Sequence, residues 1–159
     1  MTGPGMTGPG RTLGGKRVLI TGGGSGAGEN LALGFAAAGA EVVIAGRRID
    51  ALQAVAAKVS GIRVVQADVT DEASVQAMFA AAGQCDVVIA NAGAADSAVM
   101  AKTSLAQWNA MIAVNLTGVF LTLREGLLQM PGWGRLISVA STAGLKGYAK
   151  VAPYAAAKH

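Results

Sequence analysis

Short apolar runs alternate along the chain with alanine-rich segments of helical length, beginning at Lys16. The runs are continuously apolar rather than alternating, which is typical of strands covered on both faces. They read RVLIT (17–21), EVVIA (41–45), IRVVQA (62–67), DVVIA (86–90) and RLISVA (135–140). Repeated strand–helix units predict an α/β fold with a doubly wound parallel sheet, of which five strands are visible.

The segments between the first four runs have the length of helices. Two of them end on glycine, at Gly39 and Gly83, and glycine is a common helix stop. The last follows Thr70 and begins with two acidic residues, so it has a hydroxyl or acidic N-cap and early negative charges, which suit a helix N-terminus. The three segments are GENLALGFAAAG (28–39), IDALQAVAAKV (49–59) and DEASVQAMFAAAG (71–83).

The longest helical candidate is residues 104–130, SLAQWNAMIAVNLTGVFLTLREGLLQM. Its apolar side chains are distributed around almost the whole circumference of the helix, whereas a helix packed on one sheet face should show a polar stripe. They are Met111, Ile112, Val114, Leu116, Val119, Phe120, Leu121 and Leu123. We therefore expect the outer face of this helix to be buried as well, against a second subunit.

The N-terminal residues differ in composition from the rest. MTGPGMTGPG repeats the same five residues, and glycine and proline at this density neither pack nor hold a helix. We expect a flexible tail over 1–15 and a single domain over 16–159. The tail lacks a basic region followed by a hydrophobic stretch, which argues against a signal peptide. No unbroken apolar run approaches the ~18 residues of a membrane span, so no membrane partner is expected.

Composition narrows the function classes further. The net charge is +4, but the basic residues are scattered along the chain and only 4% of all residues are aromatic. We therefore expect no nucleic-acid partner. Cys85 is the single cysteine, which excludes a disulfide framework, and we expect it to be buried packing. The cytoplasm is then the default compartment. His159 is the single histidine, so neither a metal site nor a histidine triad is expected.

The first strand runs directly into TGGGSGAG (21–28). Glycines at Gly22, Gly26 and Gly28 would let the backbone turn tightly and approach a pyrophosphate, whose charge the next helix N-terminus favours. An ordinary tight turn between a strand and a helix could have a similar glycine-rich sequence, but the position of this loop after the first strand favours nucleotide binding. No Gly-Lys-Ser/Thr follows, so the loop lacks the lysine of a phosphoryl-transfer P-loop.

The second strand ends in AGRR, where dinucleotide-binding folds place an acid for the ribose 2′-hydroxyl. Gly46 stands at the acidic position, and Arg47 and Arg48 follow. With no carboxylate to repel it, a 2′-phosphate could lie against a guanidinium group. This pattern favours NADP, with NAD as the alternative cofactor. The competing interpretation is that the arginines merely begin a solvated helix.

Six motifs, in this order and spacing, resemble the short-chain dehydrogenase/reductase family. They are TGGGSGAG (21–28), ADV (67–69), ANAG (90–93), VNLTG (114–118), GRLISVAS (134–141) and YAAAK (154–158). The resemblance implies a Rossmann-type sheet of strand order 3-2-1-4-5, without the family's last strands. It implies an NAD(P)-dependent oxidoreductase acting on a carbonyl or secondary alcohol. The last twenty residues look most like 3-oxoacyl reductases and ketoreductases, so a 3-oxoacyl thioester is a candidate substrate.

The resemblance also implies how the cofactor is bound. Asp68 would contact the adenine ring with Val69 beside it, and Asn91, Ala92 and Gly93 would line the cleft. The full expected set is Thr21, Gly22, Gly24, Ser25, Gly26, Ala27, Gly28, Arg47, Arg48, Asp68, Val69, Asn91, Ala92, Gly93, Tyr154 and Lys158.

Asn115, Ser141, Tyr154 and Lys158 match the family's catalytic tetrad. Tyr154 would act as the acid in reduction and the base in oxidation, because the ammonium group of Lys158 favours its phenolate. Ser141 would hydrogen-bond the carbonyl oxygen where negative charge develops. Lys158 would also hold the nicotinamide ribose, and Asn115 would position a proton-relaying water.

One other serine and one other tyrosine lie nearby, but they match the catalytic pattern less well. Ser138 lies within the fifth strand, and Tyr148 has no lysine four residues later. A different function also stays open, that of a non-catalytic nucleotide-binding module.

Members of the family continue beyond the Tyr–Lys helix with further strands and a substrate loop. We therefore expect the domain over 16–159 to be incomplete at its C-terminus. The 159-residue chain alone is expected to bind cofactor weakly and to turn over poorly, and the full-length protein is expected to form a homodimer or homotetramer.

Overall fold

A computed structural model describes residues 12–130 and 132–159. Its strands and helices alternate as the apolar pattern predicts. The strands are β1 (Arg17–Thr21), β2 (Glu41–Gly46), β3 (Ile62–Gln66), β4 (Val87–Ala90) and β5 (Arg135–Ser138). The α-helices are α1 (Gly26–Ala37), α2 (Ile49–Ala56), α3 (Glu72–Ala82), α4 (Leu105–Ile112), α5 (Gly118–Gln129) and α6 (Ala152–Lys158).

The strands form one parallel sheet of order β3-β2-β1-β4-β5, so the predicted Rossmann-type architecture is confirmed. β1 lies at the centre, with Leu19 opposite Val43 of β2 and Val88 of β4. Because all strands run in one direction, their carboxyl ends share one edge, which is where such folds bind ligands.

Each face of the sheet carries its own hydrophobic cluster. Leu19 faces a cluster with α3 and α5 that includes Phe79, whereas Ile20 faces a cluster with α1 and α2 that includes Leu52. Burial on both faces explains why the central strands are continuously apolar. β5 is an edge strand of the described sheet, and its Ile137 is 39% exposed.

The sequence signals at the ends of α3 match its structure. The side chain of Asp71 accepts a hydrogen bond from the backbone N–H of Ala73 and caps the helix at its N-terminus. Gly83 ends the helix with φ of 73°, a conformation that suits glycine.

Most of the predicted flexible tail, residues 1–11, lies outside the described residues. The remaining part, residues 12–15, forms a turn against the domain. The N–H of Leu13 donates to the carbonyl of Ala38 at 3.1 Å, and its side chain packs against the α1 cluster. Leu13 therefore contributes to the domain although the sequence assigns it to the tail.

The predicted helix over 104–130 is interrupted in the middle. Residues Ala113–Thr117 form a π-helical turn between α4 and α5. Leu105–Gln129 nevertheless forms 25 continuous helical residues, within which an 18-residue window has a mean hydropathy of 1.4. By length and composition this helix could cross a membrane, although polar residues interrupt its apolar sequence. Core helices of globular domains meet the same criterion, and α5 packs on β4, β5 and α3.

The outer face of α5 is apolar and open to solvent in the single chain. Phe120 and Leu127 of α5 lie on one side of the helix, and Leu116 of the preceding π-helical turn lies four residues before Phe120. Leu116, Phe120 and Leu127 are 50%, 55% and 66% exposed. This exposure fits the expectation that the face packs against another surface, since contiguous apolar patches usually mark interaction sites.

Candidate active site

The glycine-rich loop joins β1 to α1 by close backbone packing. Gly22 has φ of 69°, which favours glycine. A Cβ atom at Gly28 would overlap the carbonyl oxygen of Gly22, so the first turn of α1 can approach the loop only with glycine there. A Cβ at Gly23 would lie 2.5 Å from that of Ile44 in β2. The glycines thus set the helix N-terminus directly beyond the sheet edge.

A cleft of about 370 Å³ opens at this edge, between the loops that follow β1, β2, β3 and β4. Most of the residues that the sequence assigns to the cofactor line it together. These are Gly22, Gly24, Ser25, Ala27, Gly28, Arg47, Arg48, Asp68, Val69, Asn91, Ala92 and Gly93. Thr21, Gly26, Tyr154 and Lys158 do not line it. Lining residues that the sequence analysis did not assign to the cofactor are Gly46, Ala51, Leu52, Ala67, Thr70 and Val114.

The two arginines at the end of β2 are exposed beside the cleft. The guanidinium group of Arg48 donates to the hydroxyl of Ser25 at 3.4 Å, so it reaches the glycine loop. Within 12–130 and 132–159 neither Arg47 nor Arg48 forms an ion pair. Neither charge is therefore bound in a direct ion pair among these residues, although Arg47 lies near enough to Asp68 to lower the pKa of its carboxyl group.

Asp68 lines the cleft just after β3, the strand beside β2. Its Oδ1 accepts hydrogen bonds from the backbone N–H of Thr70 at 2.9 Å and the Thr70 hydroxyl at 2.8 Å. The backbone hydrogen bond lowers the pKa of Asp68, burial opposes this effect, and the Thr70 hydroxyl and the charge of Arg47 add to the lowering. Asp68 is thus an ionised acceptor held in a fixed orientation.

Asn91 closes the floor of the cleft where β1 and β4 end. Its side-chain nitrogen donates to the carbonyl oxygens of Thr21 at 2.9 Å and Gly22 at 3.3 Å. In return, the buried Thr21 hydroxyl accepts from the backbone N–H groups of Asn91 and Ala92, both at 3.1 Å. Thr21 therefore supports the cleft from beneath.

Asn115 lies in the π-helical turn and is almost fully buried, at 3% exposure. Its side-chain nitrogen donates to the carbonyls of Ala94 at 2.8 Å and Met111 at 3.1 Å, and its oxygen accepts from the N–H of Ala94 at 3.3 Å. Both amide protons are thus used within the protein. The side chain joins the helix to the segment after β4, beside the cleft residue Gly93.

The other three tetrad residues lie where β5 and α6 meet. The Ser141 hydroxyl accepts from the backbone N–H of Ala143 at 3.1 Å and caps a 3₁₀ turn at Thr142–Gly144. The Lys158 ammonium group donates to the carbonyl of Val139 at 3.0 Å and lies 5.9 Å from the centre of the Tyr154 ring. α6 packs against that turn, α4 and the π-helical turn, which brings the tetrad segments together.

The two alternative side chains occupy other positions. Ser138 pairs with Ala90 inside the sheet. The Tyr148 hydroxyl donates to the Thr142 hydroxyl at 3.1 Å. Ser141 and Tyr154 stay the predicted pair of reactive hydroxyl groups.

Cys85 is buried, as expected. It lies just before β4, at the amino ends of the strands and therefore on the side of the sheet away from the cleft. Burial raises the pKa of its thiol to about 11, and its sulfur donates to the carbonyl of Gly83 at 3.2 Å. In the part of the chain that the structure describes, no cluster of three or more His, Cys, Asp or Glu residues could hold a metal ion.

Comparison with curated proteins places this site in a family. The family profile described as short chain dehydrogenase matches residues 16–159. The chain is 39% identical to a D-beta-hydroxybutyrate dehydrogenase of Cupriavidus necator, covering 92% of this chain and 61% of that protein. It is 36% identical to an NADP-dependent (R)-specific alcohol dehydrogenase of Lentilactobacillus kefiri, covering 86% and 57%. The chain thus spans about three fifths of the length of these relatives.

The fold has a close counterpart among solved structures. A short-chain type dehydrogenase/reductase from Mycobacterium marinum superposes with a TM-score of 0.85 at 36% identity, covering 92% of this chain and 63% of that one. Profile, sequence and fold agree with the motif order along the chain. The chain belongs to the short-chain dehydrogenase family of oxidoreductases.

Proposed function

We propose that the protein is an NADP-dependent reductase of carbonyl compounds, acting in reverse on secondary alcohols. The observation that carries this proposal is one continuous arrangement at the carboxyl edge of the sheet. The cleft beyond the glycine loop ends at Gly93 and Val114, and the tetrad residue Asn115 contacts the same segment. The proposed nucleotide site and the proposed proton-transfer site would therefore adjoin.

The cleft residues fit a phosphate-bearing dinucleotide. The N-terminus of α1 faces the cleft across the glycine loop and favours a pyrophosphate. Asp68, which lines the cleft after β3, would offer an acceptor for the adenine end. Arg47 and Arg48 supply positive charge near Gly46, where an acid would otherwise accept the ribose 2′-hydroxyl. This charge pattern supports NADP, as does the name of the Lentilactobacillus relative, an NADP-dependent alcohol dehydrogenase.

The chemistry that we propose divides between cofactor and protein. Bound nicotinamide supplies the hydride, and the protein supplies orientation and the proton. Tyr154 would donate its hydroxyl proton to the substrate oxygen, with the Lys158 charge favouring the phenolate that remains. Ser141 would hold the same oxygen by a hydrogen bond. Asn115 would act by fixing the π-helical turn against Ala94, because both of its amide protons are already bound.

The substrate proposed is a 3-oxoacyl compound, such as a thioester or a β-keto acid. The relative from Cupriavidus is named for a β-hydroxy acid, the reduced form of a β-keto acid. The relatives are longer than this chain, so the proposal concerns the whole protein. We also propose that the whole protein is cytoplasmic and forms a homodimer or homotetramer through the exposed face of α5.

NADPH oxidation by the purified full-length protein tests the proposal. The substrates are a panel of β-keto esters and thioesters, and NADH is run in parallel. We expect turnover of at least one β-keto compound, with a higher kcat/KM for NADPH than for NADH. Cofactor binding without turnover on any carbonyl would instead indicate a nucleotide-binding module.

A further inference from the structure

Gly144 lies against the main chain of Lys158, the last residue of α6. A Cβ atom at Gly144 would overlap the carbonyl oxygen of Lys158 and lie 3.0 Å from its carbonyl carbon. The contact joins the turn that follows Ser141 to the helix that carries Tyr154. A side chain of any size would therefore have to move one of these two segments.

The need for glycine here comes from space rather than from backbone conformation. Gly144 is not one of the described glycines with positive φ, so alanine could adopt its backbone angles. The neighbouring Gly147 offers a contrast in the same loop, since a Cβ there would meet nothing within 4 Å.

Two contacts attach Lys158 to the Ser141 segment. The ammonium group binds the carbonyl of Val139 two residues before Ser141, and the Lys158 main chain meets Gly144 three residues after it. Val139 is itself fixed to the sheet by its N–H, which donates to the carbonyl of Ala90 at 3.1 Å. Gly144 is fixed to Ser141, since its N–H donates to the Ser141 carbonyl at 2.9 Å.

We propose that Gly144 is a positioning residue that sets how closely α6 approaches the Ser141 turn, and thereby the placement of Lys158 and Tyr154 relative to Ser141. The proposal rests on the proposed function for its kinetic consequence. A methyl group at residue 144 pushes the C-terminal end of α6 outward. Displacements of about 1 Å in a reacting constellation can cost about 100-fold in rate.

The test compares Gly144→Ala with Gly147→Ala in the full-length protein. We expect kcat for NADPH-dependent reduction to fall between 10-fold and 100-fold in Gly144→Ala, with the KM for the carbonyl substrate within about threefold of wild type. Gly147→Ala should keep wild-type values of both constants. A substitution that only unfolds part of the molecules would lower the active fraction, so kcat is referred to the folded fraction measured by circular dichroism.

Amide hydrogen exchange of α6 gives a readout that needs no turnover. The N–H of His159 donates to Ala155 and that of Ala155 to Val151, so both amides report on the helix. We expect both to exchange at least tenfold faster in Gly144→Ala and to be unchanged in Gly147→Ala.

The outcomes separate the two proposals. If the wild-type protein reduces no carbonyl compound, the proposed function is wrong. The exchange experiment still decides in that case whether Gly144 holds α6 in place. Unchanged exchange in Gly144→Ala overturns the positioning role, whatever the kinetics. Faster exchange with an unchanged kcat also overturns it, because the contact would then not set the reactive geometry.

Discussion

The buried hydroxyl of Thr21 accepts hydrogen bonds from two consecutive backbone N–H groups, those of Asn91 and Ala92, both at 3.1 Å. The carbonyl of Thr21 in turn accepts from the Asn91 side chain at 2.9 Å. β1 and β4 are thus joined at the point where both strands leave the sheet. The Thr21 hydroxyl and the Asn91 side chain together hold the cleft floor.

Replacing Thr21 by valine keeps the shape of the side chain but removes the acceptor of the Ala92 N–H. The Asn91 N–H loses one of two acceptors and keeps the Ile89 carbonyl at 3.0 Å. An unsatisfied buried group costs ~1–3 kcal/mol, so we expect the free energy of unfolding, measured by urea titration, to fall by about 1–3 kcal/mol. Thr103→Val is the matched control, since the Thr103 hydroxyl makes one weak bond of 3.3 Å on the surface. Equal stability of the two variants would contradict the proposed support.

The arginine pair at the end of β2 predicts cofactor choice. Removing both guanidinium groups in Arg47→Ala/Arg48→Ala should weaken NADPH binding by about tenfold or more, since hydrogen bonds to charged groups contribute ~1.5–3 kcal/mol. The affinity for NADH should stay within about twofold. Titration of cofactor fluorescence measures both constants. Arg135→Ala, at the opposite edge of the sheet, is the control, and an equal loss for NADPH and NADH would refute a 2′-phosphate site.

The sheet and most of the cleft could be predicted because the relevant signals are local. Strand apolarity, the glycine loop and the arginines after β2 each depend on residues that are neighbours in sequence. Parallel strands then bring their carboxyl ends to one edge, so the assignments converge without knowledge of any contact. The five strands agree with the structure for this reason, and their order agrees with the one that the family resemblance implies.

The features that the sequence did not reveal depend on long-range contacts. The π-helical turn at Ala113–Thr117 lies where the Asn115 side chain binds Ala94, 21 residues away. The supporting role of Thr21 requires Asn91, 70 residues distant. Neither the helical pattern nor the motif spacing contains this information, because both describe periodicity along one segment.

The ion pair between Lys16 and Asp86 predicts a pH dependence of stability. The Lys16 hydrogen bond at 2.8 Å, together with the N–H of Arg17, lowers the pKa of Asp86. A lowered pKa stabilises the fold above the unfolded value near ~3.9 and loses that contribution as the pH falls through the folded value. Asp86→Asn should therefore be less stable than wild type at pH 7, and the difference should shrink towards pH 3.

Urea unfolding between pH 3 and pH 7 measures this difference. Asp50→Asn, an exposed carboxylate in the first turn of α2, is the control. Parallel curves for wild type and Asp86→Asn over the whole range would exclude the ion pair as a source of stability.

The exposed face of α5 predicts self-association. Leu127→Glu places a charge on a side chain that is 66% exposed in the single chain, so it should cost the fold little. If the face packs against a second copy, the buried charge should shift the full-length protein to a monomer. Sedimentation velocity measures the shift, with Leu145→Glu on the exposed loop before α6 as the control. A wild-type monomer, or an unchanged oligomer in Leu127→Glu, would count against this interface.

The most direct test of the central claim is the turnover number of Tyr154→Phe for NADPH-dependent reduction, measured beside Tyr148→Phe in the full-length protein. Phenylalanine keeps the ring and removes only the hydroxyl that would give up the proton. General acid catalysis of this kind contributes typically 10²–10⁴-fold, so we expect kcat to fall by at least about 100-fold in Tyr154→Phe. NADPH affinity should be nearly unchanged, and Tyr148→Phe should retain activity. A Tyr154→Phe protein with wild-type kcat would contradict the catalytic assignment.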